Sequence, residues 1–125
     1  MNELNNASKK VAVIILNYST WKETLNEISV CRSVLNIDTR DITIIDNCSP
    51  NDSAIRLQEE SLKQKFNFIK SDRNKGYAAG NNLGLRFAFE HNYSYALILN
   101  NDILFSDSEL IKKLIEVFSL NKSIA

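Results

Sequence analysis

A chain of 125 residues with 15 basic and 15 acidic side chains has the size of one domain and buries roughly two thirds of its unfolded surface. Balanced charge gives no long-range pull toward nucleic acid or an anionic membrane. The longest fully apolar run, VAVIIL at 11–16, falls well short of the roughly 18 to 20 residues that cross a bilayer.

The polar start MNELNNASKK has no apolar stretch after its lysines, which a secretory signal requires. Residues 1–10 are therefore expected as a disordered leader and 11–125 as one domain in the cytoplasm. Cys31 and Cys48 show neither a CxxC nor a framework spacing, so both are expected as reduced thiols. Residues 11–16, rich in β-branched side chains, predict a first strand covered on both faces. Thr20 and Glu23 have the spacing of a capping box, and Trp21, Leu25, Ile28, Cys31 and Leu35 follow at helical intervals. ITIID at 42–46 predicts a second strand, NCSPND a turn, and Ile55, Leu57 and Leu62 a polar helix. FNFIK at 66–70 predicts the third strand, Tyr77 to about His91 a largely buried helix, and YALILN at 95–100 the fourth strand. Ser106 and Glu109 form a second capping-box pair before Leu110, Ile111, Leu114, Ile115 and Phe118, which make one helical face.

Strand and helix alternate, and parallel neighbours need crossover connections, so the class is α/β: a mostly parallel sheet of about four strands, doubly wound, with flanking helices. Ligands of such sheets bind beyond the carboxyl ends of the strands. Each strand here ends in polar residues: Asn17 and Tyr18, Asp46 and Asn47, Asp72 to Asn74, and Asn100 to Asp102. One such cluster is most simply a turn or a cap. Four of them on one sheet edge point to a ligand rim. Asp102 with neighbouring amide oxygens is a hard donor set that suits Mg²⁺ or Mn²⁺ shared with phosphate and water. Gly76, Gly80 and Gly84 recur every four residues around a helix start, which fits either close helix-to-sheet packing or the approach of an anion. Asn81 and Asn82 interrupt that helix and need partners if buried.

The blocks VAVIILNY, ITIIDNCSPND, SDRNKGYAAGNNLG and ALILNND resemble, in order and spacing, the N-terminal half of a family 2 inverting glycosyltransferase. The resemblance covers residues 11 to about 105, and the LNND block is most similar to the rhamnosyltransferase-like branch. It implies a Rossmann-like GT-A nucleotide-sugar domain acting in bacterial polysaccharide or cell-surface glycan synthesis. The implied donor is a dTDP- or UDP-sugar, and the implied acceptor a glycan or a lipid-linked glycan at the inner face of the membrane. By this resemblance Asn17 and Tyr18 would line the nucleoside pocket and Asp46 would face the base or ribose. Arg73, Asn74 and Gly76 would contact the nucleotide, with Asn81 a structural or donor-side partner. Asn100, Asn101 and Asp102 would take the D-x-D place, Asp102 reaching the cation; the neutral Asn100 lowers the charge there.

Inversion needs a base opposite the leaving group. In the family it lies in the acceptor half, and this chain continues only about two dozen residues past Asp102. The base is thus expected beyond residue 125, and the chain as a fragment without turnover of its own that self-associates through uncovered apolar surface. His91 is the lone histidine and fits a helix C-terminus better than a base. The alternative is a non-catalytic nucleotide-binding or receiver-like module. A receiver needs an acidic pair after strand one, where Asn17, Tyr18 and Ser19 stand instead. A nucleotidyltransferase needs glycines there, and none precedes Gly76.

Overall fold

A computed structural model describes residues 10–105 and 107–120, so the expected leader, apart from Lys10, and Ser106 of the second capping box lie outside the described residues. The order along the chain is β1 (Val11–Asn17), α1 (Trp21–Ser33), a 3₁₀ turn (Thr39–Asp41), β2 (Ile42–Asp46), α2 (Ser53–Gln64), β3 (Asn67–Lys70), α3 (Tyr77–Glu90), β4 (Tyr95–Leu99) and α4 (Leu110–Leu120). All strand pairs are parallel, in the order β3-β2-β1-β4. The chain winds outward from β1 through β2 to β3, then α3 carries it back so that β4 lands on the other side of β1. The order reverses between β1 and β4.

Period-two alternation divides the sheet. Val13 and Ile15 of β1, Ile42 and Ile44 of β2 and Leu99 of β4 join Ile28, Cys31, Leu35 and Leu57 in one buried cluster, against which Leu110 and Ile111 also pack. This face carries α1, α2 and α4. Leu16, Ile14 and Ile45 point the other way, to α3. There Gly80 and Gly84 let the helix lie directly on the sheet. A Cβ on Gly84 would stand 2.5 Å from Ile14 Cγ2 and 2.8 Å from Ile45 Cδ1, inside van der Waals contact. The glycine spacing is therefore accounted for by packing at these two positions.

Several expectations need correcting. Helix α3 is not largely buried: only Gly80, Asn81, Gly84 and Ala88 are enclosed, while Phe89 is 83 % exposed. A stripe of small residues can seat a helix closely, but it covers little area. In α2 only Leu57 reaches the core, with Ile55 and Leu62 at the surface. The Thr20–Glu23 capping box does not form, because no side chain caps α1 and the Thr20 hydroxyl is taken by Asn101. Ahead of α4 it is Asp107 that accepts the Glu109 N–H, at 2.9 Å. Among the described residues no helix is long and apolar enough to cross a membrane.

Gly84→Ala tests the seating of α3. Alanine improves helix propensity by about 1 kcal/mol, but overpacking against two isoleucines costs about 1 to 3 kcal/mol. The expected net result is a lower urea midpoint, and an unchanged or higher midpoint would contradict it.

Candidate functional site

Parallel register aligns the strand ends. Asn17 pairs with Asp46, Asp46 with Lys70, and Ile15 with Leu99, so residue 101 continues two positions on at the level of Asn17. Because successive side chains alternate faces, Asn17, Asp46 and Asn101 share the α1 side of the rim. There they build a continuous relay. Asn101 Nδ2 donates to Thr20 Oγ1 at 2.7 Å and to Thr24 Oγ1 at 3.0 Å. Thr24 Oγ1 donates to Asn17 Oδ1 at 2.7 Å, and Asn17 Nδ2 donates to Asp46 Oδ1 at 2.9 Å. The Ser49 hydroxyl donates to the same carboxylate oxygen at 2.6 Å and the Ser49 N–H to Oδ2 at 3.0 Å. Asn17, Thr24 and Asp46 are fully buried.

The relay extends into the two loops above it. The Ser19 N–H donates to Ser49 Oγ at 2.8 Å, and Asn51 Nδ2 donates to the Ser19 carbonyl at 3.0 Å. Ser19 and Cys48 hold left-handed backbone, with φ of 62° and 59°. The other non-glycine residues with positive φ, Asn36, Lys65 and Asn92, follow helix ends, where that conformation is ordinary. Left-handed serine and cysteine in strand-end loops are less usual, and the loop-to-loop bonds hold them.

The other side of the rim is open. Tyr18 is 48 % exposed. Asn47 Nδ2 donates to Asn74 Oδ1 at 3.1 Å, and Asn74 Oδ1 also accepts the Gly76 N–H at 3.0 Å. Gly76, with φ of 100°, caps α3 in a conformation that side chains rarely adopt. The Tyr77 hydroxyl donates to Asn100 Oδ1 at 2.9 Å. Asn47 and Asn81 are each 4 % exposed, and the Oδ1 of each has no partner among the described residues. Beside this rim, Lys70, Asp72, Arg73 and Lys75 line an open cleft of about 360 Å³ together with Gly80. The exposed Asp102 side chain makes no hydrogen bond among the described residues.

The expected site residues thus separate into two groups. Arg73, Asn74, Gly76, Asn81 and Asn100 gather around the start of α3, while the exposed Tyr18 and Asp102 follow the ends of β1 and β4. Asn17, Asp46 and Asn101 stand at the same rim, but the polar side-chain atoms of Asn17 and Asp46 and the amide nitrogen of Asn101 are committed to the relay; Asp46 is fully buried and does not face an open pocket. Asn47, marked in the sequence only as a strand-end residue, follows Asp46 directly and so turns to the α3 side, where it donates to Asn74.

Two titratable groups lie under the rim on α1. Burial raises the Glu27 carboxyl above its usual range, opposed by the Ile103 N–H that it accepts, and the Asp102 charge raises it further. Burial, then Glu27, pushes the Cys31 thiol up to about 12, so Cys31 is an inert core thiol. His91 closes α3 at the end away from the rim, with Nδ1 2.8 Å from the Phe87 carbonyl and its ring stacked on Phe87. That placement agrees with a helix-end role.

The sequence profile of glycosyl transferase family 2 matches residues 12–125. A low-salt glycan biosynthesis hexosyltransferase, Agl10 of Haloferax volcanii, is 28 % identical over 94 residues, 74 % of this chain and 28 % of its own length. The crystal structure of residues 1–349 of Staphylococcus aureus TarS in complex with UDP-GlcNAc superposes with a TM-score of 0.64 at 17 % identity, over 90 % of this chain and 32 % of that one. The mannosyltransferase PcManGT of Pyrobaculum calidifontis, in complex with GDP-Man and Mn²⁺, gives 0.67 at 14 % identity, over 88 % and 32 %. The chain therefore spans about a third or less of the length of these relatives, and the solved structures share its fold.

Thr24→Val tests the relay. It keeps the shape of the side chain but leaves Asn17 Oδ1 without its donor and takes one acceptor from Asn101. A buried group left unsatisfied costs about 1 to 3 kcal/mol. Chemical denaturation is expected to show a loss in that range, and no loss would mean that the relay contributes nothing.

Proposed function

The chain belongs to glycosyl transferase family 2, and on that premise we propose that its strand rim holds the nucleoside diphosphate of a nucleotide-sugar whose sugar passes to an acceptor hydroxyl. The observation that carries this reading is the split rim: a rigid buried relay on one side, and beyond the same strand ends the exposed side chains of Tyr18, Asn74, Asn100 and Asp102. The first N–H groups of α3 and the basic trio Lys70, Arg73 and Lys75 suit phosphate. The nucleotide-sugars bound to TarS and to the mannosyltransferase support the same donor class, with a dTDP- or UDP-sugar the expectation here.

The Mn²⁺ of the mannosyltransferase supports a divalent ion, Mg²⁺ or Mn²⁺. The residues fit one held mainly by its ligand. Among the described residues no three His, Cys, Asp or Glu side chains cluster to hold a metal, and Asp102 offers one exposed carboxylate, as expected where phosphate and water complete the shell. Such an ion neutralises charge developing on the departing diphosphate. Asp102 would hold it, Asn100 is held by Tyr77, and Asn101 fixes the turn.

Inversion, a base on the acceptor side and a glycan or lipid-linked acceptor complete the reading, in polysaccharide or cell-surface glycan synthesis at the inner face of the membrane. On the same reading residues 11–125 form the donor half. Self-association is its last element, through the face where Phe89, Leu85 and Ile98 are exposed beside the edge strand β4. Sedimentation velocity is expected to show a larger species as concentration rises, and a constant monomer would exclude it.

The donor reading is tested by thermal shift with UDP, dTDP and GDP, with and without Mn²⁺. Ligand at a hundredfold excess over Kd adds about 2.7 kcal/mol to stability. The unaltered chain is expected to gain most with nucleotide and Mn²⁺ together, and Asp102→Ala to lose the Mn²⁺-dependent part. An equal gain in both proteins would refute the assignment of Asp102.

A further inference from the structure

Helix α1 turns a stripe of polar side chains, Thr20, Thr24 and Glu27, toward the segment that leaves β4. Their spacing of four and then three residues puts them on one helix face. Thr20 and Thr24 hold Asn101 by its side chain. Glu27 Oε1 accepts the Ile103 N–H at 3.0 Å. Asp102 lies between these two anchored residues and is exposed. The Ile103 side chain packs against the core cluster, so the far side of the turn is held by main chain and side chain together.

Glu27 is an expensive residue for this place. It is 1 % exposed, its neighbour Ile28 belongs to the core, and its Oε2 has no partner among the described residues. A buried carboxylate without a cation partner is disfavoured relative to an apolar side chain of similar volume. Among the described residues its one hydrogen bond goes to the amide directly after Asp102. Because the Ile103 N–H belongs to the peptide unit that begins at the Asp102 carbonyl, fixing it fixes ψ of Asp102.

We propose that Glu27 is the positioning residue of the Asp102 turn, holding its backbone so that the carboxylate meets a diphosphate-bound cation already ordered; this rests on the reading of Asp102 given above. Asn101 sets the near side of the turn and Glu27 the far side, which leaves only the Asp102 side chain to settle when ligand arrives. Ordering done during folding is not charged against binding. Glu27 touches neither nucleotide nor cation in this arrangement.

The test compares the full chain with Glu27→Leu, which removes the acceptor, and Glu27→Gln, which keeps it; Glu27→Met serves in place of leucine if that variant does not fold. Without ligand, amide hydrogen exchange at Ile103 is expected to speed up about tenfold in Glu27→Leu, the loss of one hydrogen bond. Exchange at Ile14 and Ile44 should stay as in the unaltered chain, and Glu27→Gln should restore Ile103. With UDP as probe, calorimetry is expected to show affinity about tenfold weaker in Mn²⁺ and unchanged without it. Unchanged exchange at Ile103, or an equal loss of UDP affinity with and without Mn²⁺, would overturn the proposal. Failure of the unaltered chain to bind UDP in Mn²⁺, with Ile103 still released in Glu27→Leu, would overturn the donor reading and the cation role with it while leaving the backbone clamp in place.

Discussion

The Asp46 carboxylate is the constraint around which the rim is built. It is fully buried and needs donors, because an ionised oxygen out of water is tolerated only when hydrogen-bonded. Its neighbours supply three: an amide N–H from Asn17, a hydroxyl from Ser49 and the Ser49 backbone N–H. Each donor is fixed in turn by what lies behind it. Asn17 can aim its NH₂ at Asp46 because Thr24 donates to its oxygen, and Thr24 can do so because its own acceptor capacity is met by Asn101. Donor direction thus runs one way, from the turn after β4 through α1 and β1 to β2. Three segments distant in sequence are tied to one acceptor.

That one-way order explains where the sequence was legible. The strands and their parallel pairing could be read because unbroken apolar runs between polar clusters have few alternatives in an α/β chain. The common rim could be read as well, since parallel strands necessarily end on one edge. The cap of α1 could not. Thr20 with Glu23 satisfies the local rule, yet the hydroxyl is taken by Asn101, 81 residues away, and no local pattern encodes a competitor that distant. Helix α3 was misjudged for a related reason. Apolar content suggested enclosure, but Gly80 and Gly84 bring the helix so close to Leu16 and Ile14 that a narrow stripe suffices, and Phe89 is left outside.

The rim residues were located more readily than their contacts. Asn17, Asp46 and Asn101 look equivalent to Asn47, Asn74 and Asn100 in a list of strand-end residues. The difference is one of parity. Residues two apart share a face, and only the register, Asn17 opposite Asp46 and Ile15 opposite Leu99, shows which parity meets α1 and which meets α3. A shift of one position would exchange the relay and the open set.

Parity also accounts for the choice of amides over acids along LNND. Three adjacent carboxylates would repel one another and raise each other's pKa values, and one of them would have to point into the Thr20–Thr24 face, where the acceptors already present need a donor. Asn101 meets that need, since its NH₂ serves both hydroxyl oxygens, which a carboxylate could not. Asn100 accepts from Tyr77, a bond that an amide oxygen makes without adding charge to the start of α3. The single negative charge is left to Asp102, the one of the three whose side chain makes no hydrogen bond among the described residues. The switch from apolar strand to two amides and an acid is therefore what a parallel strand end requires when one side chain anchors across the helix start, the next anchors inward, and the third is left exposed to solvent.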